Sequence, residues 1–273
     1  MMKKLVLVLA ACLLLVPRLG AAEDPKAVLD GVGKAMGEVT SLQYSGSGAF
    51  FALGQSFAPG EPWPRFGLGG THHSALVEMS DHLVVIEGPQ DDARATAVIA
   101  EVKNLAPNKP IKYVVNTHHH FDHAGGLGAF AAEGATIITH DSNKAFLEQS
   151  LAAPRTIQPD KLGQSGKKAI VEGMQDKRVL SDVTHVVELY RIQGNTHADG
   201  LIMAYLPKER LLVEVDVYTP PPPNATPPAQ PNPASVNLYD NIERLNLAVD
   251  QILPLHGRKV PLVELQKWIG KAS

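Results

Sequence analysis

At 273 residues, 44% of them hydrophobic, the chain is long enough for one large core or two small ones. Its 25 Lys and Arg stand against 28 Asp and Glu, a formal net charge of -3, with no long run of either sign. A nucleic-acid binder carries an unbalanced basic face; here the basic residues between Lys144 and Arg178 are interleaved with Glu148, Asp160, Glu172 and Asp176, which excludes nucleic acid as a partner.

The first 22 residues read as an export leader. Lys3 and Lys4 precede an apolar run from Leu5 to Val16, and the small residues Gly20-Ala21-Ala22 come before Glu23-Asp24. A run of twelve is short of the roughly 20 residues that span a bilayer, and no later segment qualifies, so the mature chain is expected to hold no integral membrane segment. Leu9-Ala10-Ala11-Cys12 is similar to a lipoprotein cleavage site, but the apolar run continues through Leu13–Val16. Cleavage after Ala22, with a periplasmic or secreted destination, is therefore the expectation. It removes Lys3, Lys4 and Arg18 and no acid, leaving 22 basic against 28 acidic residues, and it removes the single cysteine. Disulfide and thiolate chemistry are then excluded.

Beyond the leader, 23–66 is expected to be an irregular amino-terminal segment and 67–273 one domain. Val28, Leu29, Val32 and Met36 recur at helical spacing within 24–38, whereas 44–70 shows recurring Gly and Pro and no period. From Ser74 the pattern becomes regular. Strands are predicted over Ser74–Met79 and His82–Glu87, joined at Ser80-Asp81, followed by a helix over 91–105 and a buried strand Ile111–Val115. Gly125–Glu133 reads as a helix, Ala135–Thr139 as a strand, and 141–180 as mixed helix and loop. Val186–Gln193, Leu201–Leu206 and Leu211–Val217 read as consecutive strands. Eight prolines between Pro220 and Pro233 dictate an extended loop. A helix over Ser235–Val249 and a strand over Gln251–Leu255 close the pattern, and the strand–helix alternation indicates α/β layering.

The chemistry concentrates in His118-His119-His120-Phe121-Asp122-His123-Ala124-Gly125-Gly126, directly after the strand Ile111–Val115. Loops at the carboxyl ends of strands are where sites converge in layered α/β proteins. Alternation on an extended loop turns His118 and His120 the same way, and Asp122 and His123 fall where the chain enters a helix. An isolated His-x-His is ordinarily a surface turn; four imidazole or carboxylate donors in six residues behind a buried strand are the donor set of a divalent metal. His197 in a turn, Asp216 at a predicted strand end and His256 before Gly257 bring three more donors to strand ends.

His118-x-His120-x-Asp122-His123, then His197, Asp216 and His256 in that order, resembles the metallo-β-lactamase superfamily over Thr71 to Val260. The resemblance implies an αββα four-layer sandwich of the α/β (α+β) class, with two mixed sheets and the helices outside. It implies two divalent ions, Zn2+ with Fe or Mn as alternatives: His118, His120 and His197 on the first, Asp122, His123 and His256 on the second, and Asp216 bridging. It further implies hydrolysis of a small-molecule substrate by a water that the ion pair activates, with Asp122 as the catalytic residue that positions it. The family's early strand ends Asp-x-Gly; here it ends Glu87-Gly88-Pro89, so Glu87 or Gln90 is expected to take over the orienting of a ligand. The family also has an additional β-hairpin before its first helix; here the region before Gly67 is short and irregular, so the amino-terminal sheet is expected to be incomplete.

Asp216 at the bridging position resembles thioesterases and lactonases of the family, which ranks a carbonyl ester, lactone or thioester first as substrate. A β-lactam comes second, favoured by export, and an iron-dependent dioxygenase chemistry third; the diiron branch is disfavoured because it carries Glu where His120 stands. The loop Thr219–Asn237, close behind Asp216, is expected to form a lid. Asn195 and Arg258 are candidate contacts to substrate, and His72, His73 and His140 are placed near the rim without a role.

Overall fold

The computed structural model describes residues 50–51, 65–66, 72–156, 159–222 and 224–271. The leader expected over 1–22 and the helix expected over 24–38 lie outside these residues. The chain divides into two compact units, Met1–Gly67 and Leu68–Ser273. In the first, β1 (Phe50–Phe51) pairs antiparallel with β2 (Arg65–Phe66).

The second unit holds two sheets. The first runs β3 (Ala75–Glu78), β4 (Leu83–Ile86), β5 (Ile111–Val115), β6 (Thr136–His140) and β7 (Ile170–Met174), with β3–β4 antiparallel and the rest parallel. The second contains β8 (Lys177–Ser181), β9 (Val186–Arg191), β10 (Ile202–Leu206), β11 (Leu211–Glu214), β12 (Gln251–Pro254) and β13 (Val260–Pro261), neighbours in that order. It is antiparallel except for β11–β12, which run parallel.

Side chains alternate along each strand, and that alternation sorts the apolar residues into two cores. Val84, Ile86, Val115 and Ile138 face Val187, Leu189, Ile202 and Leu212 of the other sheet. Their sequence neighbours Leu83, Val85, Val114 and Ile137 point the opposite way, onto a helical layer. That layer consists of α1 (Asp92–Leu105), α2 (Phe121–Ala124), α3 (Leu127–Glu133), α4 (Asp141–Ala152) and α5 (Lys161–Ser165). Ala95, Ile99, Phe130 and Leu147 supply its apolar contacts. On the second sheet, α6 (Pro233–Arg244) and α7 (Leu262–Trp268) bury Leu238, Ile242 and Leu265. Each such fully buried aliphatic side chain contributes about 1.5–3 kcal/mol. The layers are those of the four-layer αββα sandwich of two mixed sheets.

Three expectations need correction. The segment 141–180 is not only helix and loop: it contains β7 and β8. These are edge strands, β7 of the first sheet and β8 of the second, and their charged positions (Glu172, Lys177, Arg178) hide the strand pattern while guarding the edges. Helix α6 begins two residues earlier than expected, at Pro233 behind the cap Asn232, and ends five residues earlier, at Arg244. Asn246 takes φ 51, and Leu247 N donates to Ile242 O (3.1 Å) while Asn246 N donates to Glu243 O (2.9 Å), a Schellman termination. Finally, β11 stops at Glu214 instead of Val217, with consequences for the site. Among the described residues no helix is long and apolar enough to cross a membrane.

Candidate metal centre

The carboxyl ends of the parallel strands β4, β5 and β6 lie at one edge of the first sheet, and β5 leads into the histidine-rich loop. Asn116, fully buried, closes that loop at both ends: its Nδ2 donates to His118 O (2.6 Å) and His123 O (3.1 Å), while its Oδ1 accepts from Thr139 Oγ1 (3.0 Å). Sequence reasoning missed Asn116; the signal was a lone amide between a buried strand and the histidines. Within the loop, alternation works as expected. His118 Nε2 lies 2.9 Å from His120 Nδ1, whereas His119 turns away to Asn143 Oδ1 (3.0 Å). The first turn of α2 then presents Asp122 and His123.

Gly125 and Gly126 let this turn press against the strand of chain leaving β4. A Cβ on Gly125 would lie 1.9 Å from Gln90 O, and one on Gly126 2.5 Å from Pro89 O. From the same segment comes Glu87, buried and held at φ 86. Its Oε2 accepts from Thr117 Oγ1 (2.6 Å) and from His123 Nδ1 (2.9 Å). Glu87 therefore orients His123, in the way a carboxylate behind a metal-ligating histidine does; Gln90 makes no such contact among the described hydrogen bonds. Glu87→Gln is expected to weaken binding of the ion that His123 would hold by about 10–100-fold, measured by competition against a chromophoric chelator. Unchanged affinity would remove the orienting role.

The second sheet supplies the rest. Asn195 Oδ1 accepts from His197 N (3.2 Å) and Ala198 N (3.1 Å), and its Nδ2 donates to Ile192 O (2.8 Å). Its amide is thus committed to shaping the turn that offers His197, which corrects its assignment to substrate. Because β11 ends at Glu214, Asp216 sits at the centre of a γ-turn, with Val217 N donating to Val215 O (2.9 Å) and Asp216 at φ 63. This strained turn, tolerable for Asp, throws the carboxylate into the cluster. Asp216 Oδ2 lies 3.3 Å from His118 Nε2, 3.1 Å from His123 Nε2 and 3.1 Å from His197 Nε2; Oδ1 lies 3.2 Å from His256 Nε2. His256 follows β12, in parallel register with β11.

All seven residues singled out in the sequence meet at this point. Donor atoms of His118, His120, His197 and Asp216 fall within 4.8 Å of one another, as do those of His123, Asp216 and His256. Asp122 Oδ2 lies 3.3 Å from His123 Nε2 and 3.8 Å from His256 Nε2. One further donor was missed: His72, whose Nε2 is 3.4 Å from Asp122 Oδ2. Arg258, by contrast, pairs with Glu264 and donates to Pro221 O (3.3 Å), so it anchors the proline-rich loop. His140 caps α4, accepting from Ser142 N at 3.1 Å, and His73 N donates to Leu255 O (2.9 Å).

These residues fit a divalent metal pair. The one proton of the Thr117 hydroxyl goes to Glu87, so Thr117 Oγ1 accepts from His118 Nδ1 at 3.1 Å, which leaves a lone pair on His118 Nε2. Burial, reinforced by the neighbouring His123, pulls the His118 ring down to about 2, so it stays neutral. That lone pair faces His120 Nδ1, His197 Nε2 (3.2 Å) and an Asp216 oxygen, an arrangement that a cation in the middle satisfies. At His123 burial disfavours the charge, but hydrogen bonds to Asp122, Asp216 and Glu87 outweigh it and push the ring up to about 12. The three carboxylates thus call for positive charge there, which a divalent ion supplies in place of the proton. Burial opposes ionisation of Asp216, but hydrogen bonds from His123, His197 and His256 hold its carboxyl well below the usual range. The hydrogen bond from His123 does the same for Asp122.

Comparison with known proteins agrees with this geometry. Residues 68–235 match the sequence profile of the metallo-beta-lactamase superfamily. A curated relative, the 2,4-dinitroanisole O-demethylase subunit alpha of Nocardioides sp., is 28% identical over 164 residues, covering 58% of this chain and 45% of that one. The chain therefore spans less than half of that relative's length. Among solved structures, a metallo-beta-lactamase from Pontibacter korlensis superposes with a TM-score of 0.54 at 16% identity, covering 74% of this chain and 86% of that one. The mono-zinc form of the metallo-beta-lactamase FIM-1 from Pseudomonas aeruginosa gives 0.53 at 20% identity, covering 77% and 85%. With the sandwich, the donor cluster and a profile match over more than half of its length, the chain belongs to the metallo-beta-lactamase superfamily.

Proposed function

We propose that the protein is an exported binuclear zinc hydrolase that cleaves a carbonyl ester, lactone or thioester. The observation that carries this reading is the Asp216 carboxylate, whose two oxygens face His118, His123 and His197 on one side and His256 on the other. A carboxylate shared in this way suits two ions side by side. When bound, such a pair activates water at neutral pH and polarises a carbonyl. The donor set, imidazoles and carboxylates with no cysteine among them, supports zinc.

Around that chemistry the chain's own residues have separate tasks. Asp122 is the most exposed of the carboxylates at the centre, and its side chain would position the attacking water. A cavity of about 470 Å3 opens beside His120, with Phe121 and Phe146 among its walls. Both rings are exposed, so they offer apolar surface to an acyl or leaving group. A cavity of about 260 Å3 lies on the other flank, between Asp216 and Tyr218 of the site and Pro221, Pro228 and Asn232 of the proline-rich loop. This placement supports a lid role for the loop. The leader Met1–Ala22 supports export.

The test is elemental analysis of the purified protein together with a hydrolysis panel of esters, lactones, thioesters and the β-lactam nitrocefin, before and after chelation. We expect about two zinc ions per chain and turnover of a carbonyl ester, lactone or thioester above that of nitrocefin, abolished by chelation and restored by zinc. Iron with oxygen consumption and no hydrolysis would sink the reading. The relative's name favours an activated aryl methyl ether as the second substrate class, so 2,4-dinitroanisole belongs on the panel.

A further inference from the structure

We propose that His72 is a protein ligand of the second ion, an inference that rests on the two-ion reading above. Donors around one zinc, each about 2.0–2.2 Å from it, are separated from one another by roughly 3–3.5 Å. Asp122 Oδ2 stands 3.4 Å from His72 Nε2 and 3.3 Å from His123 Nε2. The donor atoms of His72, Asp122 and His256 all fall within 4.8 Å of one another. The His72 ring meets the His256 ring edge-on, with centroids 4.1 Å apart and an interplanar angle of 88°.

The backbone is built to hold His72 there. His72 and His256 form an antiparallel bridge outside the sheets, and His73 N donates to Leu255 O (2.9 Å), so the segment is paired with the one that delivers His256. Arg94 of α1 reaches over to donate to His72 O (3.0 Å). One backbone pairing with the ligand-bearing strand end and one tie to the helical layer fix a residue that otherwise stands ahead of the first strand of its sheet.

The addition makes the two ion positions unequal. The first is held by His118, His120, His197 and a shared Asp216; the second by His72, Asp122, His123, His256 and the other side of Asp216. A more fully surrounded ion is a structural one, whereas a catalytic ion keeps open positions. With four protein donors against five, the first position would be the less enclosed of the two, and its His120 lines the cavity walled by Phe121 and Phe146.

The experiment uses the full protein loaded with cobalt(II). In the di-cobalt form, proton spectra should show hyperfine-shifted ring signals from six histidines, with the set assigned to His72 lost in His72→Ala. In that variant the second ion should bind about 10–100-fold more weakly while the first binds as before. The unchanged first affinity reports that the variant is folded, and the wild-type signal count tests the inference even if it is not. Shifted signals from five histidines in the wild type overturn the inference, including the case in which second-ion affinity falls because His72 merely hydrogen-bonds Asp122. A wild type that takes up a single ion also overturns it, while hydrolysis by that form would leave the hydrolase reading standing.

Discussion

Asp216→Asn is expected to lower kcat/KM by about 1000-fold or more, equivalent to about 4 kcal/mol of transition-state stabilisation, while the chain stays folded. The substitution is chosen to isolate charge. Asparagine has nearly the same shape and tolerates the left-handed backbone that position 216 requires at φ 63, so the γ-turn survives. What is lost is one anionic oxygen of a carboxylate that faces four imidazoles, the group proposed to be shared by two ions. Metal content should fall from two ions towards one, and hydrolysis should fall with it. Steady-state kinetics and elemental analysis on the same preparation check both parts. A variant that keeps two ions and turns over normally would show that Asp216 bridges nothing.

Gly125→Ala should be the most damaging small substitution, costing about 3 kcal/mol or more, the upper end for overpacking. The added Cβ would lie 1.9 Å from Gln90 O and 2.8 Å from Phe121 O, both backbone atoms, so no side chain can swing aside. Relief requires moving either the turn that carries Asp122 and His123 or the segment that carries Glu87. Gly125 has φ -64, an ordinary helical value, so the requirement is for space and not for backbone conformation. For a domain of this size the melting temperature should drop by roughly 6–12 °C, with loss of the second ion, as calorimetry and metal titration would show. A fall of under about 1 kcal/mol in unfolding free energy would contradict the close approach.

The strands that position the site were legible because burial leaves a plain trace. Leu83–Ile86 and Ile111–Val115 are apolar on both faces, since one face meets the other sheet and the next meets helices. The ligands were legible for a related reason: imidazoles and carboxylates crowded at strand ends have few other uses. What stayed hidden depends on partners distant in sequence. Nothing around His72 shows that it will bridge His256, 184 positions later. The role of Asn116 depends on closing a loop whose two ends lie two and seven residues on. The edge strands β7 and β8 were obscured by the charges that protect them, and the early end of β11 by the apolar residues Val215 and Val217, buried as though in a strand. The departure from the family's Asp-x-Gly left Glu87 and Gln90 as candidates for the orienting role, and the contact with His123 gives it to Glu87.

The donors come from both halves of the sandwich: His118, His120, Asp122 and His123 follow a strand of the first sheet, and His197, Asp216 and His256 belong to turns of the second. Ion uptake is therefore linked to assembly of the two halves. Each ion that binds only the closed sandwich adds about 2.7 kcal/mol at a free concentration 100 times its dissociation constant. Resistance to heat and to proteases then becomes a property of the surroundings as much as of the chain, rising and falling with the divalent metal available to it.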